Sequence, residues 1–157
     1  TSLTWKNLRL DANFKYSAGN HIYNYQRSEL EGLNTTHNQT TAALRRWTYE
    51  GQVTDMPKSC YTYSDEWRNN ERMSDRWIED GSYLKLKNIR LTYNIPYSNS
   101  WLLGLKVWGE ANNVFTVSKY LGTDPEMSSR NGILYQGIDT GLIPNGRSFN
   151  VGVSINL

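Results

Sequence analysis

The sequence predicts an all-β fold, a segment of a transmembrane antiparallel β-barrel. Three observations lead there. The last ten residues alternate without a break, with Phe149, Val151, Val153, Ile155 and Leu157 on one side and Ser148, Asn150, Gly152, Ser154 and Asn156 on the other. Successive side chains of a strand point to opposite faces, so this strand has one apolar and one polar face. Roughly 9–11 residues is the length a tilted strand needs to cross an outer membrane. The connections between strand-like segments are very unequal. Finally, 6 Trp and 11 Tyr stand against 3 Phe. Trp and Tyr join an apolar ring to a polar tip, which favours membrane interfaces and carbohydrate-like surfaces.

Four segments carry strand pattern. In the first, about residues 6–18, Leu8, Leu10, Ala12, Phe14, Tyr16 and Ala18 alternate with Arg9, Asp11, Asn13, Lys15 and Ser17. In the second, about 82–96, Leu84 and Leu86 share one parity while Ile89, Leu91, Tyr93 and Ile95 share the other. The slip near Asn88 predicts a β-bulge. The third, about 102–117, keeps Leu105, Val107, Gly109, Ala111, Phe115 and Val117 in phase opposite Lys106, Glu110, Asn112 and Thr116. Asn113 interrupts its apolar row, so the upper end is expected to stand clear of lipid. The fourth is the terminal strand, 148–157.

A short turn, Pro96-Tyr97-Ser98-Asn99-Ser100-Trp101, joins the second and third segments, whereas residues 19–81 and 118–147 are long connections. Compact soluble domains seldom carry connections of that length; outer-membrane barrels do, with short periplasmic turns and long outer loops. A periplasmic short turn makes the strands run up, down, up and down, leaves the C-terminus in the periplasm and puts both long loops outside. Trp5, Tyr93, Tyr97 and Trp101 then fall near the periplasmic rim, and Tyr16, Tyr83 and Tyr120 near the outer one. Within the loops, residues 39–47 and 66–73 read as short helices and 20–38 as irregular. The N-terminus, Thr-Ser-Leu-Thr-Trp, has no initiator Met, basic n-region or apolar h-region, so the chain is expected to be the end of something larger.

Composition narrows the function. No stretch approaches the roughly 20 apolar residues of a membrane helix. A net charge of +2 with mixed signs gives no electrostatic case for nucleic acid. The single cysteine, Cys60, excludes an internal disulfide and any zinc-finger arrangement. His21 and His37 lack metal-ligand spacing, and no metal, cofactor or catalytic residue is expected. Asp124-Pro125-Glu126 pairs two carboxylates, but neighbours in sequence rarely reach the separation that glycoside hydrolysis needs, and a Pro-fixed corner is the plainer reading. Glu79-Asp80 before Gly81 reads as a turn. The sequons at Asn34 and Asn38 are short and common motifs. The loop aromatics Trp47, Tyr49, Tyr61, Tyr63, Trp67, Trp77 and Tyr135 lie among Asn, Asp, Arg and Gln. Of these, Trp47, Tyr61, Tyr63, Trp67, Trp77 and Tyr135 are the candidates for ligand or partner contact. The competing reading is that such rings pack the loops together.

Residues 74–93, SDRWIEDGSYLKLKNIRLTY, resemble a late block of the SusC/RagA family of TonB-dependent outer-membrane transporters from Bacteroidetes-type bacteria. Residues 112–116 (NNVFT) and 119–126 (KYLGTDPE) resemble a second block, and 146–153 (GRSFNVGV) the closing strand. Arg46-Trp47 and residues 53–57 (VTDMP) fit a looser upstream pattern. The resemblance covers most of the chain from Trp47 onward, in the family's order. It implies the last four strands of a 22-stranded barrel with two extracellular loops, in the bacterial outer membrane. It also implies import of oligosaccharides or peptides, a SusD-like surface lipoprotein as lid, and TonB acting through a plug domain. The plug, the TonB-contacting segment and a signal peptide have no counterpart in these residues, and Leu157 stands where such barrels commonly end in an aromatic. The expected partners are the rest of the barrel and its plug, the lid lipoprotein, TonB, substrate and membrane lipid. On this reading Leu8, Leu10, Val151 and Val153 face lipid and Arg9, Asp11, Lys15, Lys106 and Glu110 line a wet interior. The alternative is a soluble β-rich carbohydrate-binding module that packs the same alternation into a sandwich core.

Overall fold

A computed structural model describes residues 1–60, 70–96, 103–126 and 136–156. The chain divides into two compact units. One comprises Thr1–Ala18, Ser82–Lys119 and Pro144–Leu157; the other comprises Gly19–Gly81 and Tyr120–Ile143.

The first unit is a five-stranded antiparallel sheet in the order β1-β2-β5-β6-β8. Its strands are β1 (Ser2–Trp5), β2 (Leu8–Ser17), β5 (Tyr83–Ile95), β6 (Gly104–Ser118) and β8 (Ser148–Asn156). The segment expected as one strand over 6–18 is in fact the second arm of a hairpin. The chain turns at Lys6, which adopts the left-handed conformation at φ 51°, and Trp5 pairs with Leu8. Alternation on the short arm was too brief to be read as a strand.

Register makes the two faces of the sheet chemically uniform. One cross-strand row joins Leu3, Leu10, Leu91, Gly109 and Val151; another joins Trp5, Leu8, Tyr93, Val107 and Val153. Every side chain in these rows is apolar or aromatic. The phase slip near Asn88 is a real irregularity, because the register shifts between Leu86 and Asn88 where β5 meets β6. It keeps Leu84 and Leu86 on the face that carries Leu91, opposite Tyr16 and Phe14. Asn113 sits at the same irregularity at φ 52°, and its Nδ2 donates to the Gly146 carbonyl (3.0 Å). Its placement is thus a bulge and not an end to the apolar face, which resumes at Phe115 and Val117.

The second unit gathers both long connections into one body. A three-stranded sheet is ordered β4-β3-β7. β3 (His21–Asn24) pairs antiparallel with β4 (Ile78–Asp80) and parallel with β7 (Ile138–Asp139). Residues 20–38, expected to be irregular, hold β3 and the helix α1 (Tyr25–Glu31). Asn24 caps that helix by accepting from the Arg27 N–H (2.9 Å), so an Asn that reads as loop composition is the start signal. Glu79-Asp80 is strand and not turn. A 3₁₀ helix covers Thr41–Arg45 within the expected 39–47 helix. Of the expected 66–73 helix, residues 66–69 lie outside the described residues and 70–73 are turn and bend. The core is small, built on Leu33, Ala43 and Met56, with Ile22 and Trp77 also buried.

Candidate functional site

Two surfaces have the organisation of a functional site: the polar face of the sheet and the polar framework of the loop unit.

Ser2, Asp11, Arg90, Glu110 and Asn150 form one rung across all five strands. Arg9 grips Asp11 with Nε to Oδ2 at 2.9 Å and Nη2 to Oδ1 at 3.0 Å. Arg90 lies 3.6 Å from Glu110. The next level is an amide ladder in which Asn88 donates to Asn112 (2.8 Å), and Asn112 donates to Glu110 (3.1 Å) and Ser148 (3.2 Å). Opposite charges on neighbouring strands stabilise the pairing, and alternation of sign keeps this rung near neutral.

One brace holds this face together. The Arg90 guanidinium lies 4.1 Å from the Trp108 ring centroid, a cation–π contact. The indole in turn covers Gly152, its register partner, where an added Cβ would meet Trp108 Cζ2 at 2.4 Å. Glycine is needed there for close approach and not for its backbone freedom. Arg90, Trp108 and Gly152 were not singled out in the sequence; the pairing of a Trp with a Gly two strands from an Arg is visible only once the register is known.

In the loop unit, Glu79 is the hub. Its Oε1 accepts from Arg27 Nη1 (2.6 Å) and Asn24 Nδ2 (3.2 Å), and its Oε2 accepts from the Leu121 N–H (2.9 Å). One carboxylate thereby joins a strand, the helix and the second long connection. Arg27 also pairs with Glu31 at 3.0 Å, which accepts from the Thr40 hydroxyl. Burial works against the Arg27 charge, but hydrogen bonds to Glu79 and Glu31 outweigh it and raise its pKa. Tyr120 donates to Asp139 (2.6 Å). Burial first, and then the neighbouring Asp139 carboxylate, push the phenol well above its usual range.

The structure sorts the predicted contact residues. Trp77 is 0% exposed, donates its indole N–H to the Arg72 carbonyl (3.2 Å) and lies beneath Arg27 and Arg76. It is a core residue and presents no ring to a ligand, which corrects the expectation. Trp47 is half-buried and its backbone N–H donates to Met56. Tyr61, Tyr63, Trp67, Tyr135 and Leu157 lie outside the described residues, as do the rim candidates Tyr97 and Trp101. Tyr83 and Tyr120 do not join an outer aromatic girdle: both are buried, and Tyr83 pairs with Ser17 and Ser118 away from the apolar rows. Phe149, Val151, Val153 and Ile155 are all exposed on the apolar face, Val151 at 82%. Asp124 is buried, and its Oδ1 accepts from the Glu126 N–H (3.0 Å) in a local turn. His21 and His37 are exposed, Cys60 is buried, and no metal-holding group exists among the described residues.

No family model matches the chain. It is 30% identical to TonB-dependent receptor P3 of Formosa agariphila, over 98% of this chain and 15% of that protein. It is 35% identical to TonB-dependent receptor SusC of Bacteroides thetaiotaomicron, over 53% of this chain and 8% of the relative. A solved structure of the RagAB peptide importer in its closed-closed state superposes with a TM-score of 0.76 at 28% identity, over 97% of this chain and 16% of that one. The chain therefore spans about 15% of the length of the first of these curated relatives. These relatives are receptors and importers, not enzymes.

Proposed function

The chain belongs with the SusC/RagA-like TonB-dependent receptors, and on that premise we propose that it serves TonB-dependent import of oligosaccharides or peptides across a bacterial outer membrane. In this reading the sheet is wall and the long connections are extracellular. β2, β5, β6 and β8 are the last four strands of a 22-stranded barrel, the short Pro96 turn is periplasmic and the C-terminus lies in the periplasm. The remainder of the barrel, a plug domain, TonB and a SusD-like lid lipoprotein complete the machine. The apolar face meets lipid, while Arg9, Asp11, Lys106 and Glu110 line the wet interior. Of the loop aromatics, Trp47, Tyr61, Tyr63, Trp67 and Tyr135 stay candidates for ligand or partner contact.

The observation that carries this reading is the apolar face itself. Five strands present apolar rows, and Phe149, Val151, Val153 and Ile155 each remain more than 60% exposed. A carbohydrate-binding sandwich would cover those rows with a second sheet. Among the described residues no second sheet is built from the strand material required, since the other sheet has strands of only two to four residues. Open backbone edges at β1 and β8 likewise require neighbouring strands, which a closed barrel supplies.

The test is energised uptake by cells carrying the full-length receptor, with labelled oligosaccharides and labelled peptides as the two probes. Uptake of one class that stops when the proton-motive force is collapsed is expected. Uptake of neither class, or uptake indifferent to the proton-motive force, contradicts the proposal.

A further inference from the structure

We infer that Lys106 is the centre of a carboxylate-binding station on the polar face of the sheet, one that favours acidic cargo; the inference rests on the importer reading above and names a substrate class within it. The observation is an uncompensated charge. Lys106 pairs in register with Asn94 on β5 and Ser154 on β8. The nearest positions of the same face on these three strands are Thr92, Gly104, Trp108, Gly152 and Asn156. None of them is charged. The two carboxylates of the sheet are engaged elsewhere. Arg9 grips Asp11, while Glu110 accepts from Asn112 and lies beside Arg90. Lys106 is exposed and has no ion-pair partner among the described residues.

The surroundings suit an anion. Lys106 lines a depression of about 600 Å³ together with Arg9, Asp11, Arg90, Asn94 and Ser154. Glu110 balances Arg90 and Asp11 balances Arg9, so Lys106 leaves the depression with one net positive charge. The Asn94 amide and the Ser154 hydroxyl, its two register partners, add neutral donors for oxygen atoms that the ammonium does not hold. One net charge matches a monoanion, and a carboxylate is the monoanion that acidic peptides and acidic sugars share. Water and salt screen such a contact, which suits a group that has to let its cargo go. Lysine, a mobile and strongly hydrated point charge, fits transient contact better than a bidentate arginine would. Arg9 and Arg90 are already committed, to Asp11 and to Glu110 and the Trp108 ring.

The test compares energised uptake of two labelled probes of equal length by cells carrying the full-length receptor. The probes are Glu- and Gln-containing peptides, or uronate- and hexose-terminated oligosaccharides, according to the class that the receptor takes up. The readout is the acidic-to-neutral uptake ratio for wild type, Lys106→Arg, Lys106→Gln and Lys106→Glu. Lys106→Gln is expected to lower the ratio about three- to tenfold and Lys106→Glu to lower it further, whereas Lys106→Arg keeps most of it. Added salt should shrink the wild-type preference. Heat-modifiable migration verifies that each variant is folded. A ratio that is the same in all four receptors overturns the station while the importer reading stands. That includes an equal loss of both probes, which a contact between Lys106 and the plug would produce. Wild type that takes up neither probe overturns both.

Discussion

The sheet leaves an apolar face exposed on β8, whereas the loop unit encloses a small core around Ile22, Leu33, Met56 and Trp77. Val151 is 82% exposed and Trp77 is 0% exposed, although both belong to a chain of only 38% apolar residues. The loop unit has a small enclosed core tied by the Glu79 hub and by Tyr120–Asp139. The sheet inverts that order and puts its ion pairs on the opposite face. Under the proposed function the contrast reflects two solvents, water around one unit and lipid against one face of the other, and a negative mean hydropathy is then no argument against a membrane barrel.

Four substitutions in the full-length receptor, with Asn150→Arg and Trp108→Ala as controls, probe this contrast. The largest effect is expected from Trp77→Ala, which empties the centre of the loop unit and should cost about 3–5 kcal/mol. Amide exchange should show residues 21–24, 78–80 and 138–139 losing protection while β5 and β6 keep theirs. Loss across both units would mean that they do not answer to separate cores. Next, Val151→Arg places a charge on the face proposed to meet lipid and should cost about 2–4 kcal/mol near the bilayer centre, whereas Asn150→Arg on the neighbouring residue should be nearly silent. Heat-modifiable migration of the folded barrel reads both, and equal effects would deny the two faces their difference.

Gly152→Val should cost about 1–3 kcal/mol by overpacking, since the new side chain collides with Trp108 and frees Arg90 from its ring. The Trp108→Ala background should remove most of that penalty, because the collision is then absent. The smallest effect belongs to Tyr120→Phe, which removes one hydrogen bond worth about 1 kcal/mol. The same residue supplies a pH signature. Its folded pKa is raised above the unfolded value of about 10, so folding favours the neutral phenol. That contribution is complete below about pH 10 and is lost as pH rises further. Stability of the loop unit, read by thermal melting, should therefore fall as pH rises above about 10 in wild type, and less so in Tyr120→Phe.

How much was legible in the sequence follows the same division. Period-two alternation exposed the faces of the sheet, and the change of parity between Leu86 and Ile89 located the bulge, because each strand residue reports its face directly. The Ser2–Trp5 arm escaped because four residues carry too little periodicity. The loop unit was harder to read. Its strands are two to four residues long, and its order comes from contacts far apart in sequence, such as Glu79 with Arg27 and Tyr120 with Asp139. Trp77 looked like a ligand-facing ring because its sequence neighbours are polar, yet the adjacent Arg76, together with Arg27 from the helix, forms the roof over it. The brace of Arg90, Trp108 and Gly152 needed the register of three strands before its members became neighbours.

The central claim is that one face of β8 meets lipid and the other meets water. Spin labels at single cysteines replacing residues 149–155, in full-length receptor reconstituted in bilayers, test it residue by residue. Labels at Phe149, Val151, Val153 and Ile155 should be relaxed by oxygen dissolved in the lipid. Those at Asn150, Gly152 and Ser154 should respond to a water-soluble paramagnet. A strand whose labels all meet the aqueous reagent, with no alternation, would contradict the account.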